Sequence, residues 1–115
     1  MDPSEFSECI RMLRSDDPMT FEEGYHWIQY HFEAHLDELI EFMRNEQDAR
    51  MRGRFVELLG DSKDLKVLPY LERELEHQDR EVRSWAYHAL TYFGDALAVQ
   101  IAQKYKNEHP NEEFI

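Results

Sequence analysis

Imidazoles and carboxylates are densest in one stretch of the chain, Glu22-Glu23-Gly24-Tyr25-His26-Trp27, followed by His31, Glu33, His35, Asp37 and Glu38. Both groups can ligate a metal. His31 and His35 are four residues apart and so share one face of a helix, as do Glu22 and His26. The zinc-protease pattern also needs a Glu directly after the first His, and Phe32 stands there. A helix boundary expected near Glu33 would turn His31 and His35 apart, so these histidines read as solvated or capping groups and no metal site is expected. A second set is more telling. Trp85, His88 and Tyr92 fall at i, i+3 and i+7, one helical stripe opposite the apolar positions Val82, Ala86, Ala89, Leu90 and Phe93. Trp, Tyr and His on an exposed stripe have the composition of a protein-binding hot spot. The competing reading makes Trp85 and Tyr92 the core rim under the last helix.

Other chemistry lacks its groups. Cys9 is the only cysteine and lies on an apolar stripe with Phe6, Ile10 and Leu13, which excludes an internal disulfide and argues against a nucleophile. No glycine-rich phosphate loop and no serine elbow occur, and among 25 acids no spacing singles out an acid–base pair. The expectation is a binder that is not an enzyme and holds no cofactor.

These residues need elements to carry them. Apolar residues recur at spacings of three and four, without sustained alternation, which predicts an all-α chain. Seven helices are expected: residues 3–14, 20–32, 34–45, 48–59, 64–77, 79–93 and 96–107. Thr20-Phe21-Glu22-Glu23 reads as a capping box opening the second, and Gly60 and Gly94 as left-handed stops of the fourth and sixth. Leu97, Val99, Ile101 and Ala102 read as the packing face of the last helix, and Phe114-Ile115 as either a frayed tail or an apolar plug.

The chain also repeats itself. Asp17, Asp48 and Asp79 are 31 residues apart, as are Arg52 and Arg83; Leu36 and Leu68, Leu39 and Leu71, and Met43 and Leu75 are 32 apart; Gly60-Asp61 and Gly94-Asp95 are 34 apart. A helical pair too narrow to bury its own stripe becomes stable by stacking on its neighbours, so such a period implies a solenoid.

The stretch Val67-Leu68-Pro69-Tyr70-Leu71, Leu75, Asp79, Val82-Arg83, Ala86, Ala89-Leu90 and Gly94 resembles the HEAT-repeat pattern. Leu36, Leu39, Met43, Asp48, Met51-Arg52, Phe55, Leu58-Leu59 and Gly60 match it more loosely, without the proline. The resemblance covers about residues 34–107. It implies a short right-handed α-solenoid of helical pairs whose second helices line the concave surface. It also implies a structural ladder in which a turn Asp pairs with a second-helix Arg of the adjacent repeat, carried here by Asp48, Arg52, Asp79 and Arg83. Residues 1–115 then form one domain, with 1–33 a degenerate N-terminal cap, since Phe21 stands where the Arg would be, and 108–115 a C-terminal tail. Aligning the units puts Arg54 and Glu57, and before them Glu23, His26 and Tyr30, in register with Trp85, His88 and Tyr92. With the adjacent Glu22, these residues make the expected partner-binding face.

Charge narrows the partner. The 115 residues carry 25 acids and 13 bases, a formal net of −12, of which −9 falls in residues 1–50 and −3 in residues 51–115. Nucleic acid and anionic membranes would repel such a chain, and a basic protein would be drawn to its acidic half. Acidity also serves solubility alone. The start of the sequence lacks a basic leader and no run spans a bilayer, so a cytoplasmic protein is expected. Size, charge and fold together resemble bacterial immunity proteins, which implies binding and neutralising a cognate basic toxin domain, such as a nuclease, by covering its active site. An adaptor or scaffold subunit of a larger assembly is the alternative. A tetrapyrrole lyase-like enzyme ranks below both, and the DNA glycosylases of similar fold need a basic groove.

Overall fold

A computed structural model describes residues 3–114. Its helices are α1 (Pro3–Leu13), α2 (Pro18–Tyr30), α3 (Phe32–Asn45), α4 (Ala49–Asp61), α5 (Leu68–Glu74), α6 (Arg80–Thr91) and α7 (Ala96–Glu108), with a 3-10 turn at Leu65–Val67 before α5. No strand occurs among the described residues, and no helix there is long and apolar enough to cross a membrane.

Aspartates start α2, α4, α6 and α7. A carboxylate just before the first turn accepts a backbone amide that has no partner within the helix. Asp48 accepts from the Met51 amide at 2.9 Å, Asp79 from Glu81 at 2.8 Å and Asp95 from Leu97 at 2.8 Å. The second helix departs from expectation, because its cap is Asp17 rather than Thr20. Pro18 takes the first helical position, where its missing N–H costs nothing, and both the amide and hydroxyl of Thr20 donate to Asp17, at 3.1 and 2.7 Å. The fifth helix is also shorter than expected. Pro69 cannot donate to the preceding turn, so the chain enters α5 through the 3-10 turn and leaves it at Glu74.

The two glycine stops have different fates. Gly94 has φ +88°, the left-handed conformation expected of a cap. Gly60 lies within α4, which continues to Asp61, and the left-handed residue is Lys63 at φ +56°. What Gly60 provides is proximity. A Cβ there would come within 2.9 Å of the Ala89 Cβ, and one on Gly53 would run into the indole of Trp85. Both glycines let α4 and α6 pack closely.

Three helical pairs, α1–α2, α3–α4 and α5–α6, stack with α7 against the last, forming a short α-solenoid of 43 × 26 × 23 Å. Each pair buries its own stripe: Leu36, Leu39 and Met43 of α3 with Phe55, Leu58 and Leu59 of α4, and Leu68, Leu71 and Leu75 at α5 with Ala86 and Leu90 of α6, all in one cluster, while Val82 of α6 is also buried. Each such aliphatic or aromatic side chain contributes about 1.5–3 kcal/mol on leaving water. The second helices α4 and α6 approach one another far more closely than do the first helices α3 and α5, which places the second-helix row on the inside of the curve. On α7 the packing face is Ala98, Ala102 and Tyr105, and Leu97, expected within it, is exposed.

The ladder takes another form. Asp48 and Asp79 are spent as caps, so the expected Asp–Arg pairs between repeats do not form. Arg52 instead reaches buried Glu74 of the next pair with two bonds, Nε at 2.8 Å and Nη2 at 2.6 Å. Arg83 likewise reaches Glu112 of the C-terminal segment at 2.7 Å and the carbonyls of His77 and Gln78 at 2.9 Å each. Each carboxylate lies beyond the pair that carries its Arg, so Glu112 does for the last repeat what Glu74 does for the one before. Phe114 completes this end, its ring 5.4 Å from Tyr87 and 6.1 Å from Tyr105 under the Arg80 guanidinium. Ile115, Met1 and Asp2 lie outside the described residues.

Candidate protein-binding face

The inner row of α2, α4 and α6 carries nearly all the aromatic and charged residues singled out from sequence, and they fall into three groups. On α2, Glu22, Glu23 and His26 are exposed, and Tyr30 is 89% exposed. His26 approaches the Gln29 side chain at 3.2 Å through Nδ1. The His26 ring also stands edge-on to Tyr25, 6.4 Å between centroids, while Glu22, Glu23 and Tyr30 face solvent.

Arg54 behaves otherwise. Its guanidinium lies 4.3 Å over the ring of Phe21 and donates to the Leu13 carbonyl, so it fills the groove between α2 and α4 and ties α4 to the first pair. Burial, and the neighbouring charge of Arg50, hold its pKa below the ordinary arginine value. Arg54 is a strut rather than a free contact.

The third group surrounds a cleft of about 310 Å³ between α4 and α6. Glu57 and Asp61 supply carboxylates from α4, and Trp85, His88 and Tyr92 supply the opposite wall, with Gly60 and Ala89 at the floor. Tyr92 is 74% exposed, and its ring lies parallel to His88 with centroids 6.3 Å apart. Trp85 is half-buried against Gly53 of α4, so its packing duty is toward the preceding repeat and not toward the last helix. Lys63 at the rim donates to the Tyr92 carbonyl at 2.7 Å and lies 5.6 Å over Phe93.

Behind the carboxylates stands Tyr25, which sequence reasoning did not assign to the site. Its hydroxyl lies 2.7 Å from Glu57 Oε1 and is also bonded to Asp61, and Gln29 donates to the same Asp61 oxygen at 3.2 Å. Burial first, then these two bonds and the negative charges behind them, push the Tyr25 phenol far above the usual tyrosine range. Of Tyr25 and Asp61, Asp61 alone could have been found by counting. Asp61 stands 31 residues before Tyr92 and so belongs to the same row, but nothing in the spacing brings Tyr25 to it.

The remaining histidines have local partners. His31 stacks on Trp27 at 3.6 Å and its Nδ1 meets the Trp27 carbonyl at 2.8 Å, whereas buried His35 stacks on Phe6 at 4.4 Å and bonds Glu38 at 2.7 Å. Trp27 lies between the two rings, stacked on His31 and tilted 6.3 Å from His35. Cys9 is buried, and that burial, with Glu5 nearby, raises its thiol pKa.

Stacked helical pairs with an exposed aromatic row on their inner helices define an α-solenoid interaction module. The family model for HEAT repeats matches residues 36–113, so the chain belongs to the HEAT-repeat family. Its repeats generally serve as protein-interaction and scaffold modules. The matched span begins after α2 and runs on through Glu112, the residue that completes the Arg83 contact. No match was found among curated proteins or among solved structures.

Proposed function

We propose that this chain acts by binding rather than catalysis, holding a basic protein on the inner row of α2, α4 and α6, and that its role is to neutralise a cognate toxin domain by covering that domain's active site. The observation that carries this reading is the half-exposed aromatic wall of Trp85, His88 and Tyr92 facing the carboxylates of Glu57 and Asp61. Aromatic anchors beside uncompensated charge are what a partner's basic surface can use for both orientation and hold. The net charge of −12, concentrated in the first half, supports long-range attraction of such a partner.

Affinity purification followed by mass spectrometry identifies the partner, and it also separates neutralisation of a toxin from service as an adaptor. Binding kinetics then test the face. The association rate is expected to fall steeply with salt, as the Debye length shrinks from about 10 Å at 0.1 M to about 3 Å at 1 M. Reversing Glu22 and Glu23 to Lys slows association, whereas Tyr92→Ala, which removes little packing, speeds dissociation by about tenfold or more. A folded Tyr92→Ala variant with wild-type affinity would show that the partner binds elsewhere.

A further inference from the structure

The carboxylates in the α4–α6 cleft are short of protons. Glu57 and Asp61 both bond the Tyr25 oxygen, yet a phenol has one proton to donate, so at any moment one carboxylate faces a lone pair instead. Gln29 relieves Asp61 in part with one N–H at 3.2 Å. On the opposite wall, His88 Nε2 is shielded from solvent and has no hydrogen-bond partner. Crowded carboxylates facing aromatic rings across one cavity are complementary to a cation with several N–H groups.

The preceding groove of the same solenoid shows which cation fits. Between α2 and α4 the groove is occupied by the chain's own guanidinium, that of Arg54, stacked 4.3 Å over Phe21. One repeat later the position equivalent to Arg54 is Trp85, and no arginine of the chain is among the residues lining the α4–α6 cleft. Lys63 at its rim is engaged with the Tyr92 carbonyl and the Phe93 ring. At about 310 Å³ the cavity is at the lower end of ligand pockets, which run from about 300 to 1,000 Å³, so it suits one side chain rather than a loop.

We propose that the α4–α6 cleft receives a single arginine side chain of the partner, its guanidinium against Glu57 and Asp61 and its flat face on Tyr92. The proposal rests on the inner-face reading above. Arginine is preferred to lysine because a planar fork spans two carboxylates and stacks on a ring, and because it is more weakly hydrated than an ammonium.

The test titrates N-acetyl-L-arginine amide into the isotope-labelled full chain and follows amide and indole resonances. Saturable shifts are expected at Gly60, Asp61, Tyr92 and the Trp85 indole, and N-acetyl-citrulline amide, the neutral isostere, leaves them unmoved. Glu57→Gln with Asp61→Asn, which keeps the shapes, weakens binding by about tenfold or more. Tyr25→Phe removes the one proton the carboxylates share and is expected to tighten binding, a direction that mere loss of structure would not produce. Unsaturable shifts scattered over α1–α3, an equal response to citrulline, or unchanged affinity in the Glu57→Gln, Asp61→Asn variant would overturn the proposal. If Tyr92→Ala weakens the partner complex while the arginine amide fails to saturate, the anchor is wrong and the inner face stands. If the amide saturates while partner affinity ignores Tyr92→Ala, the cleft binds a guanidinium that is not the partner's, and the inner-face reading falls together with the proposal.

Discussion

Glu74 is the most deeply buried charged residue among those described, 3% exposed, and its removal gives the sharpest test of how the repeats are joined. It receives both Nε and Nη2 of Arg52, at 2.8 and 2.6 Å, while Arg52 Nη1 holds the Arg44 and Glu46 carbonyls at 3.3 and 3.1 Å. Glu74→Ala leaves the guanidinium without its carboxylate in a site where it is 16% exposed. Removing one partner of a buried pair costs about 3–5 kcal/mol. Arg52 keeps its carbonyls and some water, so we expect about 2–4 kcal/mol, a large part of the roughly 5–15 kcal/mol that holds such a domain together. At about 3–6 °C per kcal/mol for a chain of this size, the melting midpoint should fall by on the order of 10 °C or more. Thermal and urea unfolding followed by far-ultraviolet circular dichroism measure it. Replacing both residues by apolar ones, Arg52→Met with Glu74→Leu, should cost less than either single change, because no charge is then stranded. A Glu74→Ala midpoint within about 2 °C of wild type would refute the Arg52–Glu74 link as the joint between repeats.

Three further expectations follow from other contacts. Gly53→Ala should lower stability although alanine favours a helix by about 1 kcal/mol, since its methyl displaces Trp85 from α4; a gain in stability would mean the two helices are free to separate. Asp79→Ala should cost about 1 kcal/mol in urea unfolding through loss of the α6 cap, and no change would show that the Glu81 amide finds water equally good. The bond from Arg83 holds the Glu112 carboxyl below the ordinary glutamate range, so its contribution is complete above the unfolded value and is lost as pH falls through the lower folded one. Melting curves of wild type and Glu112→Gln should therefore converge on acidification, and a gap that persists once the Glu112 carboxyl is protonated would point to shape rather than charge.

Local patterns in the chain were enough to determine its helices and their repetition. Spacings of three and four mark the buried stripes, and aspartates 31 residues apart sit where each second helix must begin. Gly94 is legible as a stop because a left-handed residue after a helix is a local demand, met within one turn. The Thr20 error was local too, since the Asp17-Pro18 pair starts a helix more strongly than a threonine within its first turn.

Tertiary structure decided the partners of those local features. Gly60 could be read as a stop from its place near a helix end, but its surroundings make it a contact point for Ala89 on another helix. Arg52 and Glu74 are 22 residues apart, and Tyr25 lies 32 and 36 residues from the two carboxylates it joins. In each case the two partners sit on different helices, so no periodicity within one helix registers the pairing. They are set by how one pair settles on the next, through ridges, glycine gaps and the length of each turn. Side-chain periodicity specifies which face of a helix is buried, but the meeting of two faces depends on the rotation and rise between whole repeats, which is why the row of Trp85, His88 and Tyr92 was visible in sequence and the cleft beside it was not.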